Sequence, residues 1–525
     1  MQHFTAHEEL QLLIMLTALA AMLVVAAVWH LPPALLFVTG GLLLGFVPGL
    51  PHFQLPPDLV LIAILPPLLY SSAFFTGLRD LKANLRPITL LSVGLVAATM
   101  CSVAVIAHAA VSGLSWAGAF TLGAIVSPTD ALAATQIIRR VGVPRRVIAI
   151  VEGESLVNDG VALVLYKAAV AAAVAGTFSL WNASWHLVLN IVGGILVGLA
   201  VAYVVRQVRR RIDDAPTEVA LALLSGYLAY LPAAALGVSG VLAAVVIGVY
   251  MGWYTPQLTT GVTRVSGNSF WEIVTFIVNA LLFAFVGLQL HGILNRLSGR
   301  STLSLIGDAA IVAAVVIVTR IVWVPIFTYV PRFLFRSVRE HDPYPPWQAP
   351  ALISWTGIRG AVSLAAALAL PTNVPGRDLI VFLTFAVILV TLVGQGLTLP
   401  WLIRLLHVED DGGAEREDAK ARIKASEAAL ARLEELEREG WVREDTAERT
   451  RGQYRFRTNR FRARYEGVDE EGVEERSQQY QRLRRELLEA ERQAVLRLRN
   501  EGTITEDVMQ RVQRDIDLED LRLDV

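Results

Sequence analysis

The chain has 525 residues, of which 54% are hydrophobic and 18% charged, and its net charge is -1. Near-continuous apolar runs at that density exclude an ordinary soluble protein, and the single cysteine, Cys101, excludes an intrachain disulfide framework. About 20 apolar residues cross a hydrocarbon core of about 30 Å, so the composition indicates a polytopic α-helical membrane protein.

Thirteen spans are predicted, at roughly 9–29, 32–49, 57–75, 87–112, 115–138, 146–176, 184–206, 217–235, 238–254, 268–290, 304–331, 351–370 and 377–407. No Lys or Arg precedes the first run, so residues 9–29 read as a retained span and not as a cleaved signal. Alternate loops hold fifteen Lys and Arg residues, among them Arg79, Arg139, Arg140, Arg145, Arg146, Arg209 and Arg332. The other loops hold only Arg296, Arg300 and Arg377. This asymmetry predicts an N-terminus outside and a C-terminus in the cytoplasm.

Two spans carry breakers at their centres. The fifth reads GAIVSPTDALAA around Pro128, and the twelfth reads SWTGIRGAVSLAAALALP with Gly357 and Gly360 flanking Arg359. Span five is fifth in the block one to six, and span twelve is fifth in the block eight to thirteen. Interrupted helices at matching places in two halves predict an inverted-repeat transporter with a midplane site.

The sixth span holds VEGESLVNDG, residues 151–160. A carboxylate at the bilayer centre costs about 2.5–3.5 kcal/mol on insertion scales, so such groups are functional candidates by default. Glu154 and Asn158 are four apart, as are Ser155 and Asp159, and the pairs lie on adjoining helix faces. In span five, Ser127, Thr129 and Asp130 surround the break. A lone buried Asp is often only a packing residue satisfied by backbone. Two spans that each bring an Asp beside hydroxyls and a broken backbone instead suggest an oxygen cage for a hard monovalent cation, built from Asp159, Asp130, Ser155 and the Thr129 carbonyl. Arg359 then needs a buried partner. Glu154 is the carboxylate left for it, and Arg320 in span eleven is a second candidate partner. Glu152, a turn closer to the cytoplasm, lines an inner funnel or faces water, and Lys167 reads as a snorkelling lysine.

SPTDALAA, VEGESLVNDG, WTGIRGAVSLAAALALP, FIVNALLFAFVGLQL (276–290) and LPPLLY resemble the monovalent cation:proton antiporters. The resemblance runs from residue 10 to about 405 and is nearest to the NhaP-like bacterial and eukaryotic sodium/proton exchanger branch. It implies a homodimer in which a six-helix core moves like an elevator against a dimerisation domain. It also implies roles: Asp159 as shared cation and proton carrier, Asp130, Thr129 and Ser155 completing the sodium site, Asn158 holding the broken helix, and Glu154 pairing with Arg359. The Asn-Asp form implies exchange of one cation for one proton. Relatives often have an acidic residue just after the span-three motif, where this chain has Ser71.

The expected fold is therefore all-α: about thirteen transmembrane helices with inverted six-helix repeats and two crossing broken helices in residues 1–408, then a charged, soluble helical tail in 409–525. The expected activity is exchange of Na+ or Li+ for H+ at a bacterial inner membrane, with no cofactor and no enzymatic chemistry. A potassium/proton exchanger on the same scaffold is the rival reading, and a sensor or channel gated by the tail is a rival of another class. Tail helices are predicted at about 413–438, 444–465, 469–500 and 503–518. Eight arginines between Arg443 and Arg464, interleaved with Tyr454, Phe456 and Phe461, suit anionic lipid at the inner leaflet. A membrane-tethered transporter gives little reason to expect nucleic acid as a partner.

Overall fold

The structure is a computed structural model. It describes residues 17, 20–22, 24, 25, 28, 33–45, 60–175, 180–297, 299–371, 373–408, 412–466 and 473–523. The first predicted span, 9–29, lies almost wholly outside the described residues. The chain divides into two compact units, Met1–Glu409 and Asp410–Val525.

Among the described residues the first unit is helical throughout, with no strand. Its helices are α1 (Pro33–Gly45), α2 (Leu65–Phe75), α3 (Leu85–Ala110), α4 (Trp116–Val126), α5 (Ala131–Val141), α6 (Arg145–Ala175), α7 (Leu180–Arg209), α8 (Ala215–Ala235), α9 (Gly240–Leu258), α10 (Gly261–Arg296), α11 (Thr302–Leu334), α12 (Gln348–Trp355), α13 (Ala361–Leu368) and α14 (Arg377–Leu405). Eight helices among the described residues are long and apolar enough to cross a membrane. The 31 residues of α6 reach about 46 Å at 1.5 Å per residue. By contrast α4, α5, α12 and α13 have only 11, 11, 8 and 8 residues, because the chain breaks at Ser127–Asp130 and again at Thr356–Gly360.

The larger apolar core joins α3–α6 with α11–α14 and takes in residues of α1, α2, α8, α9 and α10. A second, smaller core joins α7, α8 and α9 to α2 and α10, through Tyr70 and Trp271 with ring centroids 5.4 Å apart. The larger is dominated by alanine, valine and leucine and the smaller by alanine, and alanines such as Ala229 and Ala243 let backbones approach closely. At one end of the larger group, Asp342 gathers arginines from three helices: Arg146 at 2.8 Å, Arg86 at 3.5 Å and Arg332, whose Nε donates to the Asp342 carbonyl at 3.0 Å. This clasp ties the ends of α3, α6 and α11 together.

The second unit contains α15 (Gly413–Arg438), α16 (Glu444–Glu466), α17 (Val473–Asn500) and α18 (Glu506–Leu523). Between α17 and α18, Leu488, Val495, Met509 and Ile516 form a small core, flanked by Arg492 on Asp517 (3.0 Å) and Asp520 (2.8 Å). The aromatics of α16 are divided. Phe461 is buried beneath the guanidinium groups of Arg422 and Arg457, whereas Phe456 and Tyr465 are exposed.

Candidate functional site

The two helix breaks meet. The Asp130 amide, at the first break, donates to the Ile358 carbonyl of the second at 2.7 Å. Each break exposes backbone groups that a continuous helix would satisfy itself, and each finds partners on a neighbouring helix. At the first break Ser155 Oγ donates to the Thr129 carbonyl (2.9 Å) and accepts from the Ala131 amide (3.2 Å). Thr129 Oγ1 donates to Glu154 Oε1 (3.0 Å) and accepts from Asn158 Nδ2 (2.8 Å). Thus α6 holds the break open with three side chains on one stripe, as the four-residue spacing predicts. At the second break the Arg359 amide donates to Thr391 Oγ1 (3.1 Å), and Thr391 sits in a π-helical turn, Thr391–Gln395, within α14. That turn breaks the regular ladder where the hydroxyl is needed.

Charges sit where the broken ends require them. The C-terminal ends of α4 and α12 present carbonyls and a partial negative charge. Arg359 Nε donates to the Val126 carbonyl at 3.0 Å, and Arg320 Nε donates to the Ile353 carbonyl at 3.0 Å. The N-terminal ends of α5 and α13 carry the opposite partial charge, and Asp130 immediately precedes α5. A Cβ at Gly360, the residue before α13, would overlap the Asp130 carboxylate, so only glycine lets that carboxylate approach the second helix start.

The ion pair across the crossing differs from the sequence expectation. Glu154 pairs with Arg320, through Nη2–Oε2 at 2.8 Å and a second contact between Nη1 and Oε1, and not with Arg359. Both partners are fully buried, at 0% and 1% exposure. Geometry gives the reason. The guanidinium of Arg359 turns back onto its own break, donating to Val126 and to the Gly357 carbonyl. Arg320 reaches Glu154 and Ile353 together from α11, which makes a bidentate pair.

The four residues expected at the ion site come together. Asp159, Asp130, Thr129 and Ser155 line one cavity of about 50 Å³, along with Gly360 and Ser363 of the second break region, Ser72 of α2 and Asn279 of α10. Asp159 is buried among them. A second cavity of about 390 Å³ shares Ser72 and Ala131 with the first and is lined by Ser71, Thr135, Glu152 and Glu272. It forms an acidic vestibule beside the buried chamber. Ser71 lines this vestibule with its hydroxyl turned to the Leu68 carbonyl at 3.0 Å. Lys167 is exposed and lines neither cavity. Sequence reasoning missed Thr391, Asn279 and Glu272. Asn279 falls inside the quoted FIVNALLF string, whereas a threonine in the apolar run of α14 carries no signal of its partner.

Comparison with known proteins shows the family and the fold. Residues 13–405 match the family described as "Sodium/hydrogen exchanger, transmembrane". An uncharacterized Na+/H+ exchanger of Mycobacterium tuberculosis is 35% identical over 97% of this chain and 96% of its own length. A sodium, potassium, lithium and rubidium/H+ antiporter of Bacillus subtilis is 31% identical over 71% of this chain and 58% of its own. The solved structure of the sodium proton antiporter MjNhaP1 from Methanocaldococcus jannaschii superposes with a TM-score of 0.60 at 20% identity, covering 76% of this chain and 99% of that one, and so shares its fold. The chain belongs to the sodium/hydrogen exchanger family of multi-pass membrane cation/proton antiporters.

Proposed function

We propose that the protein exchanges Na+ or Li+ for H+ one for one, by alternating access, with Asp159 as the group that both cargoes occupy in turn. The observation that carries this reading is the small cavity shared by a buried Asp159 with Asp130, Thr129 and Ser155 at the meeting of two broken helices. A carboxylate held away from bulk water is costly to carry empty and charged. Loaded with a cation or a proton it can cross, so exchange becomes obligatory without any further coupling device. Activity is then bell-shaped in pH: acid removes the cation by competition and alkali removes the proton.

The same reading takes the fold as thirteen spans in two inverted six-helix blocks, with the N-terminus outside. The group α3–α6 with α11–α14 is the moving core, and α7–α9 with α2 and α10 belong to the static, dimer-forming part. The smaller apolar core, drawn from α2 and α7–α10 alone, supports this. The protein would work as a homodimer in a bacterial inner membrane.

The test is purified protein in liposomes under an imposed pH gradient, with sodium, lithium, potassium and choline chloride added in turn. Sodium and lithium are expected to dissipate the gradient and choline is not. Clamping the membrane voltage should leave the rate unchanged if exchange is one for one. A response to potassium without one to sodium would replace the sodium reading with the potassium one; potassium is among the cations named for the Bacillus subtilis relative.

We assign the tail, residues 409–525, to the cytoplasm as a regulatory unit. Its exposed Trp441, Phe456 and Tyr465 beside the α16 arginines suit anionic lipid, where each basic residue contributes about 1 kcal/mol. Deleting residues 413–525 is expected to shift the pH profile of exchange and retain transport itself. An unchanged profile would remove the regulatory role.

A further inference from the structure

Most hydroxyls at the crossing are committed to the protein. Thr129 and Ser155 each donate one hydrogen bond and accept another in holding the first break. Ser127, Ser354, Thr356 and Thr391 return their protons to carbonyls three or four residues back. Ser363 does neither. It is the third residue of α13 and is 1% exposed, and its Oγ has no hydrogen-bond partner among the described residues. It lines the same cavity as Asp159 and Asp130. Asn158 Oδ1 is also buried and unpartnered, but Asn158 does not line the cavity.

A buried hydroxyl without a partner is uncommon and needs a reason. A cation that sheds part of its water needs neutral oxygen dipoles beside its counter-charge. A serine hydroxyl can turn a lone pair toward a cation and rotate to donate when the cation leaves. We propose that Ser363 Oγ is a ligand of the transported cation, contributed by the second broken helix and facing the same chamber as Asp159. The first break and α6 then supply the charge, and the second break supplies a neutral oxygen. Occupancy is thereby sensed on both crossing helices. This inference rests on Asp159 being the carrier.

The test is Ser363→Ala in proteoliposomes and in detergent. Loss of one contact of hydrogen-bond size is expected to raise the apparent KM for sodium and lithium about 3- to 10-fold and to leave the maximal rate within about twofold. The sodium concentration that half-maximally raises the melting temperature should move by a similar factor, and the melting temperature without sodium should not fall. A merely structural serine would lower that sodium-free melting temperature and leave the sodium midpoint in place, and that outcome overturns the proposal. Unchanged KM and midpoint alongside an inactive Asp159→Asn variant also overturn it, and leave the carrier assignment standing. An active Asp159→Asn variant overturns both.

Discussion

Asp159→Asn is expected to abolish pH-linked sodium and lithium flux, by at least about 100-fold, while the protein stays folded and membrane-inserted. The carboxamide matches the carboxylate in size, so the cavity walls formed by Thr129, Asp130 and Ser155 keep their contacts. What disappears is the ability to take a proton and the negative charge that offsets a partly dehydrated cation. Folding is not expected to suffer, because the substitution also removes one of two carboxylates lining a single small chamber. The measurement pairs flux in proteoliposomes with the melting temperature in detergent. Loss of flux with an unchanged or raised melting temperature supports the carrier role. Exchange at the parent rate would end it. The experiment also separates the antiporter from a channel, since a channel conducts sodium without a pH gradient and does not depend on a single midplane carboxylate.

Much of this site was legible in the sequence because intramembrane polarity is expensive. Nothing but function or pairing retains Glu154, Asn158, Asp159, Asp130, Arg320 and Arg359 in apolar runs, so their presence alone marked the helices that matter. Pro128, Gly357 and Gly360 marked the breaks, and the four-residue spacing in α6 placed its polar stripe correctly. Partner choice was hidden. Helical periodicity fixes which face a residue occupies but says nothing about rotation and depth between helices, so Glu154 was matched to Arg359 first and to Arg320 only second, whereas it pairs with Arg320. The same gap concealed how the hydroxyls are used. Thr129 and Ser155 looked like free ligands, yet both hold the broken backbone together. Ser363 lay in a quoted motif without distinction until its lack of a partner was visible. Hydropathy also could not see the π-helical turn that brings Thr391 to the Arg359 amide.

Removing Arg320 is expected to be the most damaging single change to stability. Arg320→Met leaves the Glu154 carboxylate fully buried with Thr129 as its remaining neutral donor and uncaps the Ile353 carbonyl at the end of α12. Breaking one side of a buried ion pair typically costs about 3–5 kcal/mol, and here the surviving carboxylate keeps only Arg359 as a nearby charge, without a hydrogen bond to it. The double variant Glu154→Gln with Arg320→Met removes both charges and keeps a side chain able to bond Thr129. It is therefore expected to recover most of that loss, as buried pairs replaced together are often nearly neutral. Denaturation of the four proteins in a double-mutant cycle reads the coupling directly. A parallel cycle with Arg359→Gln should give a smaller coupling to Glu154, since the two share no hydrogen bond. Strict additivity between Glu154 and Arg320, or a larger coupling to Arg359, would show that the pair is assigned to the wrong arginine. Transport carries a further sign. The neutral carboxamide accepts from Thr129 more weakly than the carboxylate does, so the double variant, though stable, loosens the first break, and its sodium KM is expected to rise even where its melting temperature returns. Stability and cation affinity part company there because the ion pair anchors the site without being a ligand in it.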